Sequence, residues 1–253
     1  MEHKALQKIV FFTLTALLIS NSAFAHDEIK SQALEGTKAD NAIVISHGCE
    51  ASEKPIILQS VVFPVNNPVL SATDSHGNPV KSPANLAEVI EQGSIAGLVD
   101  LIQSKDIFTV QKEKVDALGN VSGFYGKAGS LAVDLQGRVP FAFTAPNFVT
   151  TSCVKKLNIE IAIADVCDLS KPTIQAEKVN LWIPDNGSQY ASLGAAAGVD
   201  GVGDEPPVLL VNRDTRKKYN PLPHGCHGGI DVWVTPSPAD VDANLRVPGH
   251  WSK

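Results

Sequence analysis

Histidine and cysteine are the residues of this chain best suited to gripping a metal, and three short segments concentrate them. The first is created by processing. His26 follows Ala23-Phe24-Ala25, and a cut after Ala25 would make it the N-terminal residue. An N-terminal histidine offers two nitrogens, the α-amine and the imidazole, which close a compact chelate on one ion. Such donors suit borderline metals, and Cu(II) binds most strongly of the divalent series. The α-amine has an ordinary pKa near 8, so a metal displaces its proton readily at neutral pH. The second segment is His47-Gly48-Cys49-Glu50, just past the β-branched run Ala42–Ser46. Gly48 permits a tight bend, and a cystine at Cys49 would present His47 rigidly. The bland alternative is a structural turn with a solvated histidine. The third is His224-Gly225-Cys226-His227-Gly228-Gly229, readable as a metal-binding loop or as a disulfide-stapled turn. It lacks the second cysteine of a haem-attachment motif and the paired C-x-x-C of a structural zinc site.

Other residues carry weaker signals. Trp182, in Leu181-Trp182-Ile183-Pro184, reads as sheet packing or as a flank to a metal site. Asp200, Asp204 and Glu205 could offer oxygens to calcium, but without EF-hand spacing. The run Arg213–Lys218 reads as a solvated basic face, His76 as a turn residue and His250 as a tail residue. Gly93-Ser94-Ile95-Ala96-Gly97 has the wrong spacing for a serine nucleophile elbow, and no phosphate-cradling glycine motif occurs. Cys49, Cys153, Cys167 and Cys226 allow two disulfides in any of three connectivities. Free thiols acting as soft metal ligands are the alternative.

The leader has the parts of a secretory signal: Lys4 and Lys8, the eleven-residue apolar run Ile9–Ile19, and the A-x-A junction. The run is too short to span a bilayer, and no later apolar stretch is long enough. Removing residues 1–25, with Glu2, Lys4 and Lys8, leaves 228 residues carrying 19 basic and 26 acidic groups, net −7. The expected location is the periplasm, the cell surface or the medium, where disulfides persist. An acidic chain of this kind argues against nucleic acid as a partner and weakly favours approach of cations.

These residues need a scaffold, and the apolar pattern supplies short strands. Ala42–Ser46, Pro55–Pro64, Pro68–Ala72, Ile107–Val110, Val121–Tyr125, Leu131–Leu135, Val139–Thr144, Val179–Ile183, Val208–Val211 and Ile230–Thr235 are apolar runs bounded by turn residues. Leu157–Ala164 alternates strictly, which predicts one strand with one buried face. Leu86, Val89, Ile90, Ile95, Leu98, Val99 and Ile102 approximate helical spacing and predict a short helical insertion over 83–104. Residues 185–207 read as a long loop, and the Pro-rich tail from about 236 as an irregular extension. The expectation is a mainly β protein: one antiparallel β-sandwich over 26–253, Ig- or cupredoxin-like, with a short helical insertion.

The order of the pieces resembles a known family. An Ala-His junction, a strand ending in His-Gly-Cys and an apolar strand ending in Pro64 are similar to the YcnI-like exported copper-binding proteins. Cys153 and Leu181-Trp182-Ile183-Pro184 fit their later cysteine and tryptophan strand. The resemblance covers mainly residues 25–64, with scattered support to 184. It implies a β-sandwich in which His26 chelates Cu(II), with Trp182 and a carboxylate, Glu50 being nearest in position, completing or flanking the site. The chain is more weakly similar to copper-repressible surface proteins of methane-oxidising bacteria. Both imply copper handling outside the cytoplasm, with a copper-handling membrane protein as a possible partner.

The leading expectation is therefore an exported copper-binding protein that captures or delivers the metal through His26, His47 and one of His224 or His227. A copper-dependent monooxygenase with a histidine brace is the enzymatic alternative. It would need a flat aromatic face, and the chain has only three Tyr and three Trp. A metal-free module stapled by disulfides is the third reading.

Overall fold

The computed structural model describes residues 26–49, 52–170, 174–203, 206–247 and 249. The leader, Glu50, Asp204, Glu205 and His250 lie outside the described residues. The chain is mainly β, built as three sheets. The first runs in the order β1 (Glu28–Ile29), β3 (Lys38–Ile45), β9 (Gly137–Thr144), β6 (Val99–Leu101). The second runs β2 (Ala33–Leu34), β13 (Val208–Asn212), β10 (Val154–Glu160), β14 (Ile230–Thr235), β5 (Val69–Asp74). The third runs β12 (Val179–Trp182), β11 (Ala162–Val166), β4 (Ile56–Val62), β8 (Val121–Leu131), β7 (Phe108–Val115). Pairing is antiparallel apart from β10 with β14 and β2 with β13, which are parallel.

One apolar cluster joins the three sheets, with Phe63, Phe124 and Phe141 meeting at ring-centroid distances of 6.0–6.2 Å. The apolar run IILQSVV of β4 is almost wholly buried, as a central strand covered on both faces requires. Its inward side chains face the main cluster. Its outward ones, Leu58 and Val62, join a second cluster beneath two helices.

Several sequence expectations change in detail. Leu157–Ala164 is not one strand. The chain breaks at Ile161, whose N–H donates to the Pro207 carbonyl at 3.0 Å, so β10 stays in the second sheet and β11 enters the third. Its polar positions are not solvent-facing either: Asn158 is 7% exposed and donates to the Val232 carbonyl. The insertion at 83–104 is helical only over Leu86–Glu88, a single 3₁₀ turn capped by the Asn85 side chain. Gly93 and Gly97, both at positive φ, end any helical run, and Val99–Leu101 joins the first sheet. The helically spaced Leu86, Val89, Ile90 and Ile95 still enter the core, but from turns.

The stretch expected to be a loop contains α1 (Gln189–Ala197), capped by the Ser188 hydroxyl and ended by Gly198 in the left-handed region. The tail expected to be irregular contains α2 (Pro238–Asn244), with Ser237 as its cap and Pro238 opening the first turn. Arg213 is not on a solvated face. It is 4% exposed and donates to the carbonyls of Thr150, Ser152, Val154, Asn220 and Pro221, which organises their loops. Arg216 does stay outside, paired with Asp214 and stacked on Tyr219.

Both cystines form, as Cys49–Cys167 and Cys153–Cys226. They close spans of 118 and 73 residues, worth about 4–5 kcal/mol each in the chain-entropy account. Among the described residues no helix is long and apolar enough to cross a membrane.

Candidate metal centre

The sequence-selected His26 opens the described chain, where β1 lies against β3. The pairs Glu28↔Val44 and Ile29↔Ile43 continue so that the Ser46 hydroxyl donates to the His26 carbonyl at 2.9 Å. His26 is half-buried, and its imidazole meets the indole of Trp182 edge-on, with ring centroids 5.5 Å apart and planes at 75°.

Trp182 is itself anchored. In the third sheet Asp165 sits opposite Gln59 across β11 and β4, and Trp182 sits two residues along β12 from Asn180, the partner of Asp165. Diagonal neighbours on one sheet face are close enough for an aromatic side chain to bridge. The indole N–H accordingly donates to Asp165 Oδ2 at 3.0 Å, while Gln59 Nε2 donates to Asp165 Oδ1 at 2.9 Å. Gln59 Nε2 also reaches Asp27 Oδ2 at 3.2 Å. Asp27, Gln59 and Asp165 are 3%, 1% and 1% exposed. Gly201, at φ +89°, also packs on the indole, and a Cβ there would stand 2.3 Å from Trp182 Cε3. Trp182 thus touches both a glycine backbone and an imidazole.

Two carboxyl groups this deeply buried and this close cannot both be ionised cheaply. Burial raises both pKa values. Asp27 is raised well above the usual carboxylate range, first by desolvation and then by the charge and hydrogen bond of Asp165. Asp165 is raised by desolvation against the opposing hydrogen bonds from Gln59, Trp182 and Asp27 and the field of His47. Burial and mutual proximity therefore disfavour the state in which both are ionised. Among the described residues, Gln59 Oε1 is buried beside them with no hydrogen-bond partner.

His47 lies on the turn after β3, half-buried, with Nδ1 2.5 Å from the Gly48 carbonyl. The turn is fixed tightly. Gly48 has no room for a side chain, since a Cβ would stand 2.6 Å from the Lys54 carbonyl. Cys49 is bonded to Cys167, and Lys54 pairs with Asp168 at 2.5 Å. Because Cys49 follows His47 by two residues and Cys167 follows Asp165 by two, the cystine ties the histidine turn to the carboxylate strand. The centre opens on a groove of about 320 Å³ lined by His26, Asp27, Glu28, Ile29, Pro206, Pro207 and Val208.

Of the sequence-selected residues, His26 and Trp182 meet here, and His47 lies close enough to Asp165 to act on its carboxyl. His224 and His227 do not. They are exposed on the loop stapled by Cys153–Cys226, at the Val154 end of β10, where Ile230 N–H donates to the Cys153 carbonyl. The groove beside His26 borders Val208, which pairs with Glu160 at the other end of β10. At about 3.3 Å per residue, the two ends are roughly 20 Å apart. Asp200 uses its backbone carbonyl to pair with Leu181 N–H, and its side chain faces outward. The residues the sequence reading missed are Asp27, Gln59 and Asp165. Asp165 is the one polar residue of β11 and Gln59 sits beside Ser60 inside the apolar β4, but neither type nor spacing marks them as a site before the strands pair.

The donors suit copper by type: imidazole nitrogen from His26, joined by its amine nitrogen if the chain is cut after Ala25, with carboxylate and amide oxygens behind them. Among the described residues no three His, Cys, Asp or Glu side chains already converge as a ligand set. His26 partly offsets this because one residue would supply two nitrogens.

No protein-family profile matches the chain, and no curated protein does. Among solved structures it is similar to an uncharacterized protein from Nocardia farcinica with an immunoglobulin-like fold, at 8% identity and a TM-score of 0.38, over 75% of this chain and 98% of that one.

Proposed function

We propose that this is an exported copper-binding protein that captures or delivers the metal in the periplasm or at the cell surface, using His26 as the N-terminal residue of the processed chain. The observation that carries the reading is the packing of the His26 imidazole against Trp182, whose indole is anchored on the buried Asp27–Asp165 pair. Two features support it further. Among the described residues, Gln59 Oε1 is a buried acceptor with no hydrogen-bond partner, next to two buried carboxyls whose pKa values are raised. The groove at the mouth is open enough for an ion or a delivering partner to reach His26.

His26 would hold the ion through its amine and ring nitrogens. Bound copper would supply a site for electron exchange or simple transfer. The protein's own residues do the positioning: Ser46 fixes the His26 carbonyl, Trp182 limits the swing of the imidazole, and Asp165 fixes Trp182. His47, close to Asp165, would be a further ligand.

The deciding experiment is electron paramagnetic resonance of the processed protein with one equivalent of Cu(II). A type-2 spectrum with nitrogen hyperfine lines, lost when one residue is added ahead of His26, is expected. A free-ion-like spectrum would overturn the reading. One observation favours the metal-free disulfide-stapled module in that case: both oxygens of Asp165 are already engaged by Gln59 and Trp182.

A further inference from the structure

Three of the chain's seven histidines, His76, His224 and His227, stand on two loops at one end of the second sheet. β5 and β14 are antiparallel neighbours, and their register pairs Asp74 with Ile230. The turn that follows β5 and the loop that precedes β14 therefore leave the sheet side by side. They also touch. A Cβ on Gly228 would stand 3.6 Å from Ser75 Oγ and 3.8 Å from Ser75 Cβ. Ser75 precedes His76 and Gly228 follows His227, so this contact brings two of the histidine positions together. Their Cα atoms are then at most roughly 14 Å apart, about the span of two histidine side chains meeting at one ion.

Both backbones are fixed while the rings are left open. Asp74 Oδ1 accepts from the N–H groups of His76 at 2.8 Å and Asn78 at 2.9 Å, which sets the first turn. On the second loop Cys226 is bonded to Cys153. Its N–H donates to the Pro223 carbonyl at 3.3 Å, and its own carbonyl accepts from Gly229 N–H at 2.8 Å. Two tight turns thus follow one another, with His224 inside the first and His227 inside the second. His227 is held at φ +45°, a region few residues other than glycine enter, in a run with Gly225, Gly228 and Gly229 at +93°, +96° and +85°. The His76 side chain is 82% exposed, and its Nδ1 lies 3.5 Å from Ser75 Oγ and 4.0 Å from Asp74 Oδ2. His224 and His227 are exposed as well, and among the described residues no hydrogen bond or ion pair holds either ring.

We propose that His76, His224 and His227 form a second metal site, a surface site for a borderline divalent cation such as Cu(II) or Zn(II), which ties the two loops together. Neutral imidazole is the donor these ions share. Among the described residues the three rings do not already point at one centre. The backbone supplies the nearness, and rotation of exposed side chains completes the set. The cystine matters here as a clamp: it holds the His224 and His227 turns at the start of β14, beside the β5 turn, so that little chain entropy is left to lose on binding. The site lies at the other end of β10 from His26, roughly 20 Å away. It needs neither a processed N-terminus nor copper at His26.

The test is a titration of the native protein with Zn(II), a diamagnetic probe, followed through the assigned ring-proton resonances of the histidines and by calorimetry. His76, His224 and His227 should respond together and saturate with one equivalent, apart from any ion taken at His26. His227→Asn removes one ligand while keeping a residue that tolerates the left-handed backbone. It should weaken that step about tenfold or more, as a chelate does when it loses a linked donor. His76→Ala should do the same from the other loop, since the ion bridges both. The His26 resonance reports the candidate centre separately, so failure at one site leaves the other standing. Three rings that shift independently, each only at millimolar Zn(II), overturn the proposal. So does a joint response that neither substitution weakens.

Discussion

Trp182 donates its indole N–H to Asp165 Oδ2 at 3.0 Å and meets the His26 ring edge-on at 5.5 Å, so one tryptophan couples a buried carboxylate to the first described residue of the chain. The coupling gives Trp182 a role that packing alone would not. Trp182→Phe keeps the apolar ring but leaves Asp165 Oδ2 without its donor, which should cost about 1–3 kcal/mol in urea unfolding. It should also loosen the imidazole and weaken Cu(II) binding. A variant as stable as the native protein, with the same copper affinity by calorimetry, would show that the indole N–H is incidental.

Gly201 packs directly on the tryptophan ring. Its positive φ and the 2.3 Å approach to Trp182 leave no space for a methyl group. Gly201→Ala should destabilise the fold by about 1–3 kcal/mol through overpacking and change the near-ultraviolet dichroism of the indole. Unchanged dichroism would mean that the ring is free to move away.

The raised pKa values of Asp27 and Asp165 set a pH dependence in the metal-free protein. Both carboxyls have raised pKa values, so their contribution is fully present below the unfolded value near 4 and is lost as pH rises through the folded values. Asp27→Asn keeps a neutral, hydrogen-bonding group at that position. Its stability relative to the native protein should therefore improve between pH 4 and pH 8, by about 1 kcal/mol or more, since a tenfold change in proton affinity is worth about 1.4 kcal/mol. Urea midpoints at pH 4, 6 and 8 measure it. A difference that stays constant with pH would contradict the raised pKa values.

How much of this was legible in the sequence depends on the kind of signal. The strands were, because apolar runs bounded by Gly, Pro and Asn specify them locally. The break at Ile161 was not, since strict alternation over Leu157–Ala164 says nothing about which sheet each half joins. α1 and α2 were hidden by Gly, Ala and Pro content, although Ser188 and Ser237 mark their starts. In the candidate centre, His26, His47 and Trp182 stood out by residue type. Asp27, Gln59 and Asp165 did not, because their role arises from burial and cross-strand register, which only the folded sheet creates. The two His-Gly-Cys segments lie apart: Cys49–Cys167 joins the turn after β3 to the end of β11 in the third sheet, whereas Cys153–Cys226 staples the loop at the start of β10 in the second.

The two cystines should therefore separate stability from metal affinity. Removing Cys153–Cys226 by paired alanine substitution should cost about 3–5 kcal/mol of global stability and leave Cu(II) affinity unchanged. Removing Cys49–Cys167 should cost a similar amount and also weaken binding, because that cystine fixes the His47 turn to the Asp165 strand. Equal effects of both on affinity would mean that the cystines act only through overall stability.

The exposed histidines provide the last separation. His224 and His227 sit at the far end of β10 from His26, roughly 20 Å away at the rise of an extended strand. No single ion can be held across that distance. Replacing both with alanine should therefore leave the first-equivalent Cu(II) spectrum and affinity as they are, while one residue added ahead of His26 abolishes the nitrogen hyperfine pattern. Calorimetry and paramagnetic resonance on the same samples make the comparison. Loss of the first-equivalent signal in the double alanine variant, with His26 intact, would move the copper site to the stapled loop. The packing of His26 against Trp182 would then be a structural contact alone.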